Sequence, residues 1–498
     1  MTQRTDARRR DGPVVRRWAI KSLGRSAAAG LVTGLLCACS LQPAYERPAP
    51  PLAAAFPASV PAPPATGAAT PPPTWSEYFG DPQLRELIAA ALQNNRDLRV
   101  AIGRVAEARA VYGIQRADRF PTVAAGAVET RARVPANLSG AEGATVGSVY
   151  QASLNLNAWE LDFWGRVRSL EDAALQSYLA TEEAQRAVQV SLVAQVAGVY
   201  LLERTLDEQL DTARRTLETR EEAYRIMRRR YEVGAAPKLD ATQAEALLNG
   251  ARSDLAFLER QREQSHNALV LLVGMPLPDQ TRPLSEIEAG FVLELDPGLP
   301  SDLLLNRPDV LAAEYRLKAS HASIGAARAA FFPRIALTGN YGTASTDLDD
   351  LFAAGSGAWT FVPSISLPLF DGGRRRSGLD LAEARRDVAV AGYEQTIQGA
   401  FREVADALAD RHWLARQVTI QHAIVATQTE RTRLAQLRYQ SGAASFLEVL
   451  DAERDRFAAE QLLVQTRRAL LASSVSLFSA LGGGSAPVAD HAPSVGSD

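Results

Sequence analysis

The sequence predicts an α+β membrane fold in which one structural unit occurs twice, with long helices and a pair of β-strands in each copy. Three observations lead to this prediction. The sequence repeats itself at a long offset, short segments alternate apolar with polar residues, and two very long segments contain no proline. Proline interrupts helices, and strict alternation is typical of strands whose two faces meet different surroundings. Both kinds of element are therefore expected in each copy.

The repeat is visible as matched residues at two offsets. Asp97 recurs 212 residues later as Asp309, and Gly234 recurs 208 residues later as Gly442. The first offset also relates Arg104 to Arg316 and Phe120-Pro121 to Phe332-Pro333, and the second relates Gly274 to Gly482. A period this long indicates a duplicated domain and not a solenoid, with a loop that differs by about four residues between the copies.

Composition excludes several classes of function. The net charge of −3 gives no sign of a nucleic-acid partner. The five histidines are scattered, and the spacings typical of zinc sites, nucleotide-binding loops and nucleophile elbows are missing from the sequence. We therefore expect a protein that is not an enzyme and has neither catalytic residues nor a metal site.

The first 38 residues have the three parts of an export signal. Basic residues precede an apolar run over Ala27–Leu36, which is too short to span a bilayer. The run ends in Leu36-Cys37-Ala38-Cys39, which resembles the bacterial lipobox and implies a covalent lipid on Cys39 and no other cofactor. Ser40 is not the aspartate that retains lipoproteins in the inner membrane. An ordinary cleaved signal is the alternative, and the Arg16-Arg17 pair leaves Sec and twin-arginine export open.

Each unit begins with a helix and continues with strands. From Leu84 to about Ala117 the apolar residues recur at intervals of three and four, which is typical of a helix. In Tyr150–Ala158 and Trp359–Leu369 they alternate with amides and hydroxyls, as in a barrel wall with lipid outside and water inside. A hairpin over a soluble core would alternate in the same way. The unit offers no other large apolar surface for such a hairpin to cover, which favours the barrel.

A very long helix, a tight turn and another helix complete each unit. No proline occurs from Arg166 to Ala236, nor between Leu369 and Pro487. A helix of about 65 residues would be about 100 Å long, which is too long for a globular core. Two units supply four strands, whereas about eight are needed to close a barrel. Open strand edges are costly in lipid, so the chain is expected to oligomerise.

Six motifs occur in order along the mature chain, namely Tyr45-Glu46-Arg47-Pro48, Trp75 with Phe79-Gly80-Asp81-Pro82-Gln83-Leu84, Arg307-Pro308-Asp309-Val310, Phe332-Pro333-Arg334-Ile335, Leu369-Phe370-Asp371-Gly372-Gly373-Arg374, and Tyr439 and Gly442 with Leu447-Glu448-Val449-Leu450-Asp451-Ala452. With these motifs the chain resembles the outer-membrane factor (TolC-type) family, which serves tripartite efflux pumps and type I secretion systems. It resembles most closely the OprM-like and NodT-like lipoprotein branch. The resemblance covers nearly all of the mature chain.

The resemblance implies an architecture, a function and a set of partners. It implies a homotrimer with a twelve-stranded outer-membrane barrel, four strands per chain, continued by a periplasmic helical barrel. It implies a passive exit duct for drugs or other small molecules, working with a periplasmic adaptor (membrane fusion protein) and an inner-membrane pump of the resistance-nodulation-division type. A type I secretion duct is one alternative. A periplasmic scaffold lipoprotein without a pore is an alternative of another class.

These inferences divide the chain into consecutive segments. They are a lipoprotein signal peptide (1–38), an acylated N-terminus with a Pro/Ala-rich tether (39–74), a first repeat (75–285), a second repeat (286–482) and a flexible C-terminal tail (483–498).

The aperture of the duct is expected where the long helices turn. The resemblance implies that Glu448 and Asp451 lie in the first turn of a helix and face the axis, so that three chains form a ring of carboxylates that attracts cations. The first repeat has Asp240 and Gln243 at the matching positions. Ser445 and Glu448 also match a capping box, and Asp451 suits a helix dipole, so a purely structural interpretation remains open. Ala444 replaces a basic residue that locks the closed state in some relatives, which implies a different lock.

The same turns are the expected docking surface for adaptor hairpins. The predicted contact residues are Arg230, Tyr231, Gly234 and Ala235 in the first copy and Arg438, Tyr439, Gly442 and Ala443 in the second. The two glycines are expected to adopt a left-handed backbone conformation at the turns. The arginines would also suit the C-terminal end of any exposed helix, so a merely solvated helix end is the alternative.

Overall fold

The computed structural model describes residues 41–51, 53, 73–140, 142–278, 281–288, 290–292 and 307–484. The signal segment, Cys39, most of the Pro/Ala-rich tether and the tail from 485 onward lie outside these residues. The described chain forms two compact units. The sheet unit contains the described residues of Met1–Glu46, Val111–Leu175 and Lys318–Asp387, and the helical unit contains those of Arg47–Ala110, Gln176–Leu317 and Val388–Asp498. Each unit thus combines segments from both sequence repeats.

The described elements, in chain order, are α1 (Trp75–Tyr78), α2 (Pro82–Asn94), α3 (Arg96–Ala117), β1 (Val123–Val134), α4 (Ala136–Ser139), β2 (Thr145–Glu160), α5 (Arg166–Glu232), α6 (Lys238–Val273), α7 (Leu284–Ile287), α8 (Pro308–Ala329), β3 (Arg334–Ser345), β4 (Gly357–Ser366), α9 (Arg374–Gln440) and α10 (Phe446–Ala480).

The element bounds repeat with the two offsets found in the sequence. Helices α3 and α8 each have 22 residues and begin 212 positions apart. The long helices α5 and α9 each have 67 residues and begin 208 positions apart. The change of offset therefore falls among the strands, where β2 has 16 residues and β4 has 10. The duplicated unit and the very long helices are confirmed.

The first predicted helix is divided in two at Asn95. The Asn95 side chain accepts a hydrogen bond from the Leu98 N–H (2.9 Å), which caps the start of α3, and donates to the Leu272 carbonyl (2.9 Å). Apolar periodicity continues across this residue, so the pattern predicted one helix. The break follows from the preference of asparagine for the N-cap, where its side chain replaces a missing backbone partner.

The motif around Phe79 forms part of the core of the helical unit. Asp81 caps α2 by accepting from the Leu84 N–H (2.9 Å), and Pro82 occupies the first helical position. Tyr78 stacks on Phe478 with ring centroids 4.7 Å apart, and both rings are fully buried. This motif of the resemblance therefore has a packing function, because Tyr78 and Phe79 pack α1 and the residue after it against the end of α10.

The four strands form one antiparallel sheet in the order β1-β2-β3-β4. Directly paired residues lie on the same face of such a sheet. One row across the four strands is Ala125, Leu154, Tyr341 and Trp359, and the adjacent row is Ala124, Asn155, Asn340 and Thr360. The register thus gathers apolar side chains on one face and amides and hydroxyls on the other, which is the arrangement expected of a wall between lipid and water.

Strand β4 is shorter than the alternation indicated. It ends at Ser366, so Leu367 and Leu369, counted on its apolar face, lie in the connection to α9. Pro368 lies between them and has no N–H to offer a neighbouring strand. Pro363, in contrast, lies within β4, which is an edge strand of this sheet. A proline is tolerated at an edge because its missing N–H can face outward.

Glycines make the sharp passage from strand to helix in both copies. Gly165 has a φ of 73°, and Gly372 and Gly373 have φ values of 64° and 89°. These left-handed conformations suit glycine, which has no Cβ atom to clash with the backbone. Beside the first junction Arg166 binds Glu160 with both its Nε and Nη2 atoms (2.8 and 2.7 Å).

Among the residues that the structure describes, no helix has both the length and the apolarity needed to cross a bilayer.

Candidate aperture at the helix tips

The turn between α5 and α6 is built around Gly234. The Ala235 N–H donates to the Arg230 carbonyl (2.7 Å), and the Gly234 N–H donates to the Tyr231 carbonyl (2.9 Å). This pair of bonds is the Schellman motif, which satisfies carbonyls that a helix leaves unpaired at its C-terminus. Gly234 has a φ of 77°, so its predicted left-handed conformation is confirmed.

The turn between α9 and α10 has the same backbone bonds. The Ala443 N–H donates to the Arg438 carbonyl (2.9 Å), and the Gly442 N–H donates to the Tyr439 carbonyl (3.0 Å). Gly442 has a φ of 75°. We name the two ends the first tip (α5 and α6) and the second tip (α9 and α10).

An apolar cluster holds the two tips together inside the helical unit. Its buried members are Met227, Ala244, Ala435, Phe446, Val449, Leu450 and Ala452, which come from α5, α6, α9 and α10. Phe446, the first residue of α10, is 8% exposed, and its ring centroid lies 5.2 Å from that of Tyr439. Burial of this aromatic ring fixes the start of α10 relative to the ends of the two long helices.

Two polar contacts accompany the apolar cluster, one between the tips and one within the second tip. The Arg230 guanidinium of the first tip donates to the Tyr439 hydroxyl of the second tip and lies 5.9 Å from the ring centroid of that tyrosine. Within the second tip, Arg438 Nη1 lies 3.2 Å from Glu448 Oε1. Arg230 and Arg438 occupy matching positions in the repeat, so the same residue type makes two different contacts.

The two predicted aperture carboxylates lie on one helix and share a partly exposed setting. The side chains of Glu448 and Asp451 are 40% and 43% exposed. Asp451 pairs with Arg454 of the same helix (3.4 Å). Glu448 lies in the first turn of α10, whereas Asp451 lies in the second turn and not in the first as predicted, because α10 begins only at Phe446. Their spacing of three residues keeps both on one side of α10.

The capping-box alternative for Glu448 is wrong in this structure. Ser445 occupies the N-cap position of α10, but its side chain makes no capping hydrogen bond. The Glu448 carboxylate is paired instead with Arg438, across the turn.

The first tip places Asp240 and Gln243 at the matching positions, in the first two turns of α6. Both side chains are half-buried. Pro237 is the N-cap residue of α6 and has no side-chain acceptor to offer. The start of α6 thus has one carboxylate at these two positions, whereas the start of α10 has two.

The predicted adaptor-contact residues all lie at the surface of the tips. Tyr439 is half-buried against the apolar cluster, and the remaining seven are exposed, namely Arg230, Tyr231, Gly234, Ala235, Arg438, Gly442 and Ala443. The tip surface therefore presents arginines, one exposed tyrosine and small residues around each turn.

The pair of Arg431 and Asp455 was not found by sequence reasoning. Arg431 Nη1 lies 2.6 Å from Asp455 Oδ2 and joins α9 to α10 two turns above the tip. Hydrogen bonding from Arg431 holds the pKa of Asp455 below its usual value. A groove of 690 Å³ runs alongside, lined by Glu430, Arg431, Leu434, Arg438 and Glu448 among others. Only a helical-hairpin register, which the sequence does not give, could have paired these two residues.

The described residues contain no group of three or more His, Cys, Asp and Glu side chains arranged to hold a metal ion. Cys39, the predicted lipid attachment site, lies outside the described residues.

Comparison with known proteins identifies the relatives of this chain. The profile of the outer membrane efflux protein family matches residues 87–275 and 299–483. The outer membrane protein OprJ of Pseudomonas aeruginosa is 46% identical over 455 residues, which are 91% of this chain and 95% of OprJ. The chain belongs to the outer membrane efflux protein family. The toluene efflux pump outer membrane protein TtgI of Pseudomonas putida is 45% identical over 457 residues. The matched residues are 90% of this efflux protein and 96% of TtgI.

Solved structures support the same assignment. A membrane protein from Pseudomonas aeruginosa is 45% identical with a TM-score of 0.82, covering 89% of this efflux protein and 98% of that chain. The open state of the Neisseria gonorrhoeae MtrE outer membrane channel is 38% identical with a TM-score of 0.80, covering 90% and 98%. The predicted TolC-type fold is confirmed. The protein is an outer-membrane efflux channel with a large helical part.

Proposed function

We propose that this efflux protein is the passive exit duct of a tripartite pump for drugs or other small molecules. Relatives that match most of the chain are named as toluene, solvent and antibiotic efflux pump outer membrane proteins. These names favour small organic molecules over the alternative of a type I secretion duct. In this proposal the chain has no catalytic residue, and the energy and the choice of substrate come from the inner-membrane pump.

The proposed assembly is a homotrimer. The sheet of one chain has four strands and therefore two open edges, at β1 and β4. Three copies would pair these edges into a closed wall, which removes unsatisfied backbone groups from lipid. A periplasmic adaptor would dock on the exposed arginines and small residues of the two tips, and the pump, of the resistance-nodulation-division type, would deliver substrate behind it.

The observation that carries the proposed gate is the pair of Glu448 and Asp451 on one side of α10. In a trimer, three such pairs would form a ring of carboxylates at the periplasmic end of the duct. The ring would attract cations and repel anions. Each carboxylate has an arginine partner in its own tip, Arg438 or Arg454, so part of its charge is balanced within one chain.

The proposed lock of the closed state uses contacts within one chain. Arg230 of the first tip holds Tyr439 of the second tip, and Arg438 holds Glu448. Together they replace the basic residue that is absent at Ala444. Opening would require the two tips to separate, which breaks the first contact while the shared apolar cluster resists.

A covalent lipid on Cys39 completes the proposal. The acyl chains would insert in the outer membrane and add to the anchoring by the barrel, because several chains together give stable membrane attachment.

The experiment that tests the duct and its gate is single-channel recording of the purified full-length protein in a planar bilayer. The wild type is compared with a double variant, Glu448→Ala with Asp451→Ala. Glu222→Ala is a matched control, since Glu222 is an exposed carboxylate of α5 that pairs with Arg225. A small cation-selective conductance is expected for the wild type and the control, and a larger, less selective one for the double variant.

The possible outcomes separate the parts of the proposal. Unchanged conductance and selectivity in the double variant would retain the duct and remove the carboxylate ring. Absence of any conductance from well-folded wild-type protein would contradict the duct itself.

A further inference from the structure

The segment that follows the predicted lipid attachment site is docked on helix α8. In the sheet unit, the Tyr45 ring meets the His321 ring edge-on, with centroids 5.5 Å apart at 85°. Lys318 Nζ lies 5.3 Å from the Tyr45 ring centroid. Lys318, His321 and Gly325 are three and four residues apart, so they form one stripe along α8. The segment therefore lies along a defined face of the helix.

Gln42 is held more closely than Tyr45. Its Nε2 donates to Asp172 Oδ2 of α5 (3.1 Å). A Cβ atom placed on Gly325 would lie 3.0 Å from the Gln42 Cα and 2.8 Å from the Ser169 hydroxyl oxygen. Only glycine at position 325 permits this approach. Ser169 and Asp172 belong to the first two turns of α5, so Gln42 lies close to where β2 passes into that helix.

Arg47 continues the docking inside the helical unit. Its Nε and Nη2 atoms donate to the two carboxylate oxygens of Glu314 (3.2 and 2.8 Å). The Glu314 side chain is only 4% exposed. A buried carboxylate needs such a partner, and the paired geometry fixes the direction of the arginine.

We propose that Gln42–Arg47 is a fixed strap that sets the depth at which the acylated N-terminus meets the outer membrane. Cys39 precedes Gln42 by three residues, and three residues span at most about 10 Å. The acyl chains would therefore enter the phospholipid leaflet on the periplasmic side, beside the first turns of α5. This inference rests on the proposed lipidation of Cys39.

The strap differs from the tether that the composition predicted. A flexible tether would allow the lipid to reach any depth and would add little to the orientation of the sheet. A strap held at Gln42, Tyr45 and Arg47 restricts the anchor to one position, so the lipid and the sheet engage the membrane together.

A double-mutant cycle tests the proposal in cells. The strap variant, Tyr45→Ala with Arg47→Ala, is compared with Glu46→Ala, an exposed residue between the two. Each is made in the acylated full-length protein and in Cys39→Ser protein exported by a conventional cleaved signal. The measured quantity is the amount of heat-modifiable oligomer in the outer membrane. The strap variant is expected to lower this amount about three- to tenfold in the acylated protein and to cause no further loss with Cys39→Ser.

A variant on the other side of the contact gives an independent result. Gly325→Ala displaces Gln42 without removing any strap side chain, and the same pattern of losses is expected. Equal losses in both backgrounds would show that the strap only supports the fold and would overturn the proposal. No loss in either background, or the absence of acyl groups in the mass spectrum of the mature protein, would also overturn it.

The result is independent of the proposed duct. Drug efflux by the wild-type protein in the same cells reports the proposed function alone, and its failure leaves the comparison of membrane oligomer intact.

Discussion

The two tips share a backbone and differ in chemistry. Both end a 67-residue helix in the same Schellman turn, with glycines at φ values of 77° and 75°. At the first position of the following helix, however, the first tip has exposed Lys238 and the second has buried Phe446. Duplication thus supplied the shape of both tips, whereas the buried aromatic ring at the helix start and the second carboxylate occur only at the second tip. Any gate at this end is therefore expected to be asymmetric within each chain.

The largest expected effect is a difference in stability between substitutions at Phe446 and at Lys238, its counterpart in the first tip. Phe446→Ala removes the ring at the centre of the apolar cluster and should cost about 3 kcal/mol of local stability. Lys238→Ala, at the matching exposed position, should change stability by less than about 0.5 kcal/mol. Hydrogen exchange of the amides in the last turn of α9 and the first turns of α10 measures both changes. Similar effects of the two substitutions would remove the asymmetry of the tips.

The next largest effect should be equal at the two tips. Gly234→Ala and Gly442→Ala each force a side chain into the left-handed region and should cost about 1–2 kcal/mol. Nothing lies within 4 Å of a Cβ atom added at either glycine, so the backbone conformation alone sets the cost. Gly250→Ala is the control, because that glycine lies within α6 with equally open space and should gain up to about 1 kcal/mol. Unequal costs, again read by hydrogen exchange, would mean that the turns are less alike than their bonds indicate.

The sequence predicted what periodicity and local chemistry determine. The proline-free segment from Arg166 to Ala236 forms a helix that ends at Glu232, and the positive φ of Gly234 follows from the preference of helix C-termini for glycine. The apolar and polar faces of the sheet were predicted from residues that alternate between apolar and polar along each strand. These features depend on neighbours in the chain, so a single sequence contains them.

Contacts between distant segments were not predictable. Arg47 binds Glu314 across 267 residues, whereas the proline-rich composition around Arg47 predicted only a tether. Glu448 matched a capping box, yet its carboxylate forms an ion pair with Arg438 because the turn brings the two side chains together. In both cases a long-range partner replaced the locally favoured one. The break at Asn95 was missed for the opposite reason, since apolar periodicity continued while a local cap ended the helix.

The tie between the tips should have a smaller effect on stability and a larger one on gating. Tyr439→Phe removes the hydroxyl that accepts from Arg230 and keeps the ring in the cluster, at a cost of about 1 kcal/mol. In bilayer recordings this should raise the open-to-closed ratio about fivefold, because the contact exists only in the closed state and its loss destabilises that state alone. Tyr231→Phe is the matched control, since Tyr231 is 43% exposed. An equal change for both variants would show that the Arg230 contact does not hold the tips together.

The smallest expected effect is the pH dependence of one ion pair that only the second tip has. Arg431 and Asp455 form an ion pair there, whereas the first tip has Ala223 and Leu247 at the matching positions, packed on the apolar cluster. The pKa of Asp455 is lowered by its hydrogen bond from Arg431, so the stabilisation is complete above the unfolded value of about 3.9 and is lost as the pH falls through the folded value. Since the pair is partly exposed, we expect it to contribute about 0.5 kcal/mol to the stability of the second tip.

Hydrogen exchange at the second tip, recorded from pH 6 down to about pH 3 with correction for the intrinsic exchange rate, would detect this loss. Asp455→Asn should remove the part of the pH profile that Asp455 contributes. High salt should also weaken the stabilisation of the second tip by this ion pair in the wild type, because salt screens an exposed pair. If the wild type and Asp455→Asn share one profile, the ion pair adds nothing, and the tips differ only through Phe446 and the aperture carboxylates.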